Sequence, residues 1–371
     1  MRFSPGLFCV LAACSSAVGT NSPDGGPPPD AGVFSDPVRC SPVLGEACGG
    51  GGSCDLGLAC QAGVCACTAP PCAMACYSDR TLDFLLWARG PLFVSTSRGA
   101  SVSWDVARID SEGGGPRSVA SGDGGVKMAV EGDQLYLASG LRGTNNTITR
   151  MGFDGSGRVV VVPSIPPPHW LTVTPTHILY SHDRTVVLLD SRGTYLRPLA
   201  FGPSQAIPQW LTVEGDTVFW VDHGIGAPDE VYQGDLMGTP PRSLAGTTIE
   251  ITAFAACPDA LVWASSDQLI RYDRTTQVPD PIMRMKNGVA CASDGTLYVT
   301  GFGETTASGQ EPLAVRSRSP SGEVRVLYTP PQTAGTQVPL QVVATPSHVF
   351  FHQRSDTDGA PVHRVLRMPR P

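Results

Sequence analysis

The feature that most constrains this chain is a strand–turn–strand phrase that returns at a nearly fixed interval. Its clearest copy is Val213-Glu214-Gly215-Asp216-Thr217-Val218-Phe219-Trp220-Val221-Asp222. It reads as the end of one apolar strand, a tight acidic turn with glycine, and a second strand centred on an aromatic pair. Related text centres on Phe93, Tyr136, Leu179, Phe219, Val262, Tyr298 and Phe350, at intervals of about 43 residues. Around Phe219 the unit divides into four strands: Leu211 to Val213, Thr217 to Val221, Val231 to Leu236, and Arg242 to Leu244. Gly, Pro, Asp and Asn separate them. A unit of this length built only of strands cannot bury both its faces alone, whereas a ring of such units can.

The expected fold is therefore all-β: a β-propeller over residues 77–371, with seven blades of four antiparallel strands each. Six or eight blades are the alternative counts. The text runs out after Val362 to Met368, which leaves the last blade short of an outer strand and the ring with an open edge. Residues Tyr77 to Leu82 are expected to supply that strand. Composition agrees with this class: charged residues make up 16%, and Gly (42) with Pro (34) is far above average usage. The formal charge of −7 and the presence of only two lysines, Lys127 and Lys286, argue against a nucleic-acid footprint.

Ahead of the repeats the chain changes character twice. Residues 1–13 read as an export signal, with Arg2 followed by the apolar run Leu7 to Ala13. Leu11-Ala12-Ala13-Cys14 resembles the lipobox of bacterial lipoproteins, which implies lipidation of Cys14 and, in a two-membrane bacterium, sorting to the outer membrane. On that reading the lipid is the membrane anchor. Residues 14–39 are rich in Pro, Gly and Ser and read as a solvated tether.

Residues 40–76 then hold eight of the twelve cysteines: Cys40, Cys48, Cys54, Cys60, Cys65, Cys67, Cys72 and Cys76. At this density in an exported chain they read as a small disulfide knot, because so short a segment with few large apolar residues lacks a core of its own. Their pairing is open. A zinc site is disfavoured, since the cluster has no Cys-x-x-Cys pair and no histidine. The Gly-Cys spacing resembles small EGF-like and Dickkopf-type knots. Cys257 and Cys291 fall in adjacent units and are expected either to bridge them or to remain as buried thiols.

Phe219-Trp220-Val221-Asp222 resembles the Tyr-Trp-Thr-Asp motif of YWTD-type propellers, and Ala107 to Asp110 with Ser118 to Gly122 matches their following strands. That resemblance implies a secreted propeller and a protein-binding role. Lipobox, knot and degenerate repeats together resemble lipoproteins of the myxobacterial type.

Candidate chemistry collects where inner strands begin and second strands end, the connections that surround the mouth of a propeller's channel. His169-Trp170 and Gln209-Trp210 open the inner strands of blades three and four. His182-Asp183, Asp222-His223, Asp267 and His352 close second strands. Aromatic rings with imidazoles at a funnel mouth suit a sugar, a peptide or a metal. The residues selected are His169, Trp170, His182, Gln209, Trp210, Asp222 and His223. No nucleophile motif, metal-ligand spacing or cofactor fingerprint accompanies them. The acidic turns at Asp154 to Gly157 and Asp356 to Gly359 lack the spaced ligands of a calcium loop.

The expected function is that of a lipid-anchored, monomeric binding or scaffold protein for a protein or glycan partner in the cell envelope. A propeller-type enzyme (lyase, hydrolase or quinoprotein) using His169, His182 or His223 is the first alternative. A purely structural envelope protein is the second.

Overall fold

Period-two alternation sends successive side chains of one strand to opposite faces, and the second strand of blade four shows where they go. In a computed structural model of the chain, Val218 and Trp220 face blade three, whereas Phe219 and Val221 face blade five. The same division repeats around a ring of seven four-stranded antiparallel sheets. Seven buried clusters result, each shared by two neighbouring blades. The core is thus a set of layers between blades rather than one central mass, and all seven repeat anchors lie buried in second strands.

The described residues run from 43 to 371, excepting 45, 49–53, 63, 79, 99–102, 112, 141–145, 202–205, 225–227, 248–249, 266–267, 285–286, 302–304, 307–308, 311–312, 331–336 and 356–360. The expected signal, Cys14, the tether, Cys40, Asp267 and the turn at Asp356 lie outside them. No helix among the described residues is long and apolar enough to cross a membrane.

Blades one to six are continuous stretches of chain, with inner strands Thr81–Trp87, Gly125–Glu131, Trp170–Val173, Ala206–Glu214, Ile251–Ala256 and Val289–Cys291. Blade seven is assembled from both ends of the ring. Its inner strands are Gln337–Ala344, His348–Ser355 and Val362–Pro369, and its outer strand is Cys72–Tyr77. The register pairs Cys72 with Arg367 and Tyr77 with His363. Closure by an early strand was expected, but at Tyr77 to Leu82. Thr81 and Leu82 instead open the inner strand of blade one.

The outer strand of blade seven is also where the cysteine-rich segment docks. An outer strand ordinarily leaves its far-side N–H and C=O groups unpaired. Here Leu44 N–H donates to the Ala73 carbonyl and Ala73 N–H donates to the Leu56 carbonyl, each at 3.0 Å. All six residues from Cys72 to Tyr77 are buried, packed beside Val43, Leu44, Leu56 and Leu58. Disulfides Cys48–Cys60, Cys54–Cys65 and Cys67–Cys72 shape this cap, and Cys76 is disulfide-bonded as well. Asp55 accepts from Arg364 Nε at 3.0 Å, fixing the cap to the third strand of the same blade. Gly57, at φ 74°, lies so close to the Pro71 carbonyl that a Cβ would stand 2.1 Å from its oxygen. No side chain fits that site.

Cys257 and Cys291 are bonded, with Cα atoms 5.4 Å apart. They join the turn after the inner strand of blade five to the end of the inner strand of blade six, which realises the bridging alternative.

Candidate functional site

The seven inner strands surround a central channel of about 860 Å³, lined by residues from every blade. Four of those strands carry a β-bulge or register irregularity against their partners. The shifts fall between Leu82 and Phe84, Gln209 and Thr212, Ile251 and Ala253, and Pro339 and Val342. A bulge inserts an unpaired residue and turns the local side chains to a new direction. Among the channel residues, Phe84, Trp210, Leu211, Thr252, Leu340 and Gln341 stand at or next to these shifts. Trp210 adopts φ 49°, a left-handed conformation that bulky residues rarely hold.

Backbone groups released by the bulges find partners across blade boundaries. Gln341 of blade seven accepts from Leu85 N–H at 2.9 Å and donates to the Asp83 carbonyl at 2.6 Å, locking the inner edge where the ring closes. Thr300 Oγ1 accepts from Gly288 N–H at 2.8 Å and donates to the Leu340 carbonyl at 2.9 Å, joining blades six and seven. The channel wall is therefore a cross-braced frame.

Three rings and one cation converge on the channel. Phe84 of blade one meets Trp170 of blade three edge to face at 5.2 Å between centroids, and Trp170 lies 6.0 Å from Trp210 of blade four. Lys127, in the inner strand of blade two, holds its Nζ 4.7 Å from the Phe84 ring centre and 5.9 Å from that of Trp170. These are cation–π distances. Among the described residues its ammonium has no hydrogen-bond or ion-pair partner. Burial pushes the Lys127 pKa down, opposed by the more distant Asp83 carboxylate. Asp83 in turn is pushed up by burial, against a 3.1 Å hydrogen bond from Ser97 and the charge of Lys127.

Of the residues selected from the sequence, the structure brings Trp170, Gln209 and Trp210 together on the channel wall. The other four sit elsewhere. His169 precedes its strand and donates its N–H to the Ser181 carbonyl at 2.8 Å. His182 stacks on Tyr180 at 5.7 Å, with Nδ1 3.6 Å from the Asp183 carboxylate. Asp222 is buried at 3% exposure and accepts from Trp220 Nε1 at 3.0 Å. Its pKa is pushed up to about 6 by burial, a rise limited by the Trp220 hydrogen bond and reinforced by the charge of Glu230.

His223 pairs with the buried Asp229, whose carboxylate also accepts from Gly224 N–H at 3.0 Å and Ile251 N–H at 2.6 Å. Asp222 and His223 are thus held by partners within blade four, and it is Asp229 that braces this end against blade five through Ile251 N–H. His352 is likewise buried, with Nε2 2.9 Å from Nδ1 of His363. Asp154 accepts from Ser156 N–H and Oγ at 3.0 and 2.6 Å within its own turn.

Phe84 and Lys127 were not selected from the sequence. Phe84 stands in a segment partly assigned to ring closure, and Lys127 looked like an isolated charge. One signal was available: a lone lysine between Val126 and Met128 in a chain with two lysines in all.

No protein family and no curated protein matches the sequence. Solved structures do match the fold. A puromycin hydrolase superposes with a TM-score of 0.56 at 13% identity, covering 78% of this chain and 52% of that one. The chain therefore spans about half the length of that hydrolase. The WD40 propeller domain of Doa1 gives 0.53 at 10% identity, covering 79% of this chain and 96% of the other. An oligogalacturonate lyase from Vibrio parahaemolyticus gives 0.54 at 10% identity, covering 76% and 87%. Hydrolases and lyases thus stand among the structural neighbours, and likeness at such low identity establishes the shared β-propeller fold alone.

Proposed function

We propose that this chain is an extracytoplasmic binding protein, held by lipid on Cys14 at the outer membrane of a two-membrane bacterium. Its propeller presents the aromatic channel to a protein or glycan partner in the envelope. The observation that carries the reading is the convergence of Phe84, Trp170, Trp210 and Lys127 on a cavity of about 860 Å³. Ligand sites are typically concave, mostly apolar and marked by a few placed polar groups. The lipobox and the disulfides support export, since disulfides persist in oxidising compartments. Binding is favoured over catalysis because His169, His182 and His223, the residues an enzymatic reading required, do not line the channel.

Two measurements test this reading. Full-length protein is used to capture partners from envelope extract, beside a variant carrying both Trp170→Ala and Trp210→Ala. A partner retained by the parent and lost by the variant is the expected result. A partner retained equally by both removes the channel from the binding surface. Incorporation of labelled palmitate, expected in the parent and absent from Cys14→Ala, tests the anchor; no incorporation in the parent overturns it.

A further inference from the structure

The chemistry of the channel narrows the ligand class. Resting on the reading that the channel binds a partner, we infer that it takes an acidic carbohydrate, with Lys127 pairing a sugar carboxylate while Trp170 and Trp210 stack on sugar rings. Lys127 is placed against Phe84 and Trp170, with the Asp83 carboxylate acting on it through space but making no ion pair with it, and its ammonium has no oxygen partner among the described residues. Taking an ammonium out of bulk water carries a cost that a paired anion offsets. A ligand carboxylate supplies that anion, and a charge-assisted hydrogen bond to it is roughly twice as strong as a neutral one.

The remaining wall suits rings that carry hydroxyls. Phe84, Trp170, Trp210 and Phe254 all line the cavity and are partly exposed, so apolar ring surface contributes to its wall. Large, stiff aromatic surfaces accept the apolar C–H face of a pyranose with little loss of side-chain freedom. Gln209 adds an amide with donor and acceptor atoms, and Thr252 adds a hydroxyl. The innermost strands also turn one edge toward the channel, and its backbone groups other than those held by Gln341 and Thr300 add donors and acceptors for sugar hydroxyls. The cavity, at about 860 Å³, lies in the size range of small-ligand sites. The other charged residues of the wall, Arg89 and Glu131, stand where inner strands end, away from Trp170 at the start of its strand. Lys127 is therefore the charge that meets a ligand entering past Trp170.

The test is calorimetric titration of the full-length protein with a hexuronate trisaccharide and with its carboxyl-reduced neutral counterpart. The acidic sugar should bind about ten-fold more tightly than the neutral one, the magnitude of one charged hydrogen bond. Lys127→Met keeps the apolar stem and should abolish that preference; Lys127→Arg should keep it. Melting curves of each variant separate loss of binding from loss of fold.

Equal affinity for the two sugars, or an acid preference that survives Lys127→Met in a folded protein, overturns the carboxylate assignment. Binding of neither sugar overturns the carbohydrate assignment, as does binding of a peptide C-terminal carboxylate at this site in their place. Any of these leaves the broader reading to the envelope capture, which fails only when partner retention ignores Trp170 and Trp210.

Discussion

Blades four and seven are the same four-stranded unit built in opposite ways. Blade four is one continuous run of chain from Ala206 to Gly246, so each strand pairs with a neighbour made just before it. Blade seven joins Cys72–Tyr77 to Gln337–Pro369, and its Asp55–Arg364 contact links residues 309 positions apart. Local hairpins need little loop closure, whereas the distant pairing carries a larger entropic cost that must be offset by interactions elsewhere. The offset is visible. Disulfides, an ion pair and paired edge hydrogen bonds all concentrate on blade seven. The two blades also bury opposite kinds of titratable group: a carboxyl in blade four and an imidazole pair in blade seven. A propeller can thus repeat its backbone while varying what holds each blade.

The largest expected effect breaks the difference at the closing strand. Replacing Cys72–Tyr77 by Gly and Ser at every position except Cys76, with Cys67→Ser because its partner Cys72 is lost, leaves blade seven with an open edge. Stability should fall by on the order of 5 kcal/mol or more, seen as a Tm lower by more than about 10 °C. An unchanged Tm would show that the ring closes by other means.

Next in size is the acid limb of blade seven. Burial, reinforced by the charges of His363 and Arg354, pushes the His352 pKa from 6.5 down to about 3. The unfolded chain then binds more protons than the folded one between those values, so stability is full above about pH 6.5 and falls as pH drops. The slope is about 1.4 kcal/mol per pH unit. His352→Gln should flatten the decline in Tm between pH 6.5 and 4. An equally steep decline in that variant would place the acid sensitivity elsewhere.

Blade four should show a smaller effect of opposite sign. With its pKa pushed up to about 6, Asp222 keeps its proton more firmly folded than unfolded. Its contribution is therefore lost as pH rises from 3.8 to about 6. Asp222→Asn retains an acceptor for Trp220 Nε1 and carries no charge. It should be more stable than the parent at pH 7 by on the order of 2–3 kcal/mol, and no more stable near pH 4. Urea denaturation at the two pH values checks this; equal stability at pH 7 would mean that the buried carboxyl is not strained.

The ring was legible in the sequence because second strands face a core on both sides. Phe93, Tyr136 and Phe219 therefore recur as large apolar residues at a steady interval, and the turns between them use glycine and acidic residues that survive degeneration of the rest. The closing strand was misplaced by a few residues for a physical reason. Cys72-Ala73-Met74-Ala75-Cys76 is buried on both faces, so it shows no alternation, and its cysteines read as knot. Trp170 and Trp210 were legible as aromatic residues opening inner strands. Phe84 was not, since alternation does not reveal a bulge that redirects a side chain into a channel; Lys127 was not, since a lone charge on a strand of regular register reads as a solvent-facing position. Asp222 and His352 show the converse: a polar residue at a strand end looks solvent-facing until the partner that buries it is known.

The closing strand also has a consequence for the order in which the molecule is made. Cys72–Tyr77 leaves the ribosome before any blade is complete, yet the strand that pairs with it, Val362–Pro369, emerges after all the others. For nearly the whole of synthesis the early strand waits without its partner. The segment carrying Leu44 and Leu56 comes earlier still and holds the far edge of that strand. In the folded chain the cysteine-rich cap covers one edge of an otherwise adhesive strand and the last-made strand covers the other, so the two edges are closed by the earliest and the latest parts of the domain.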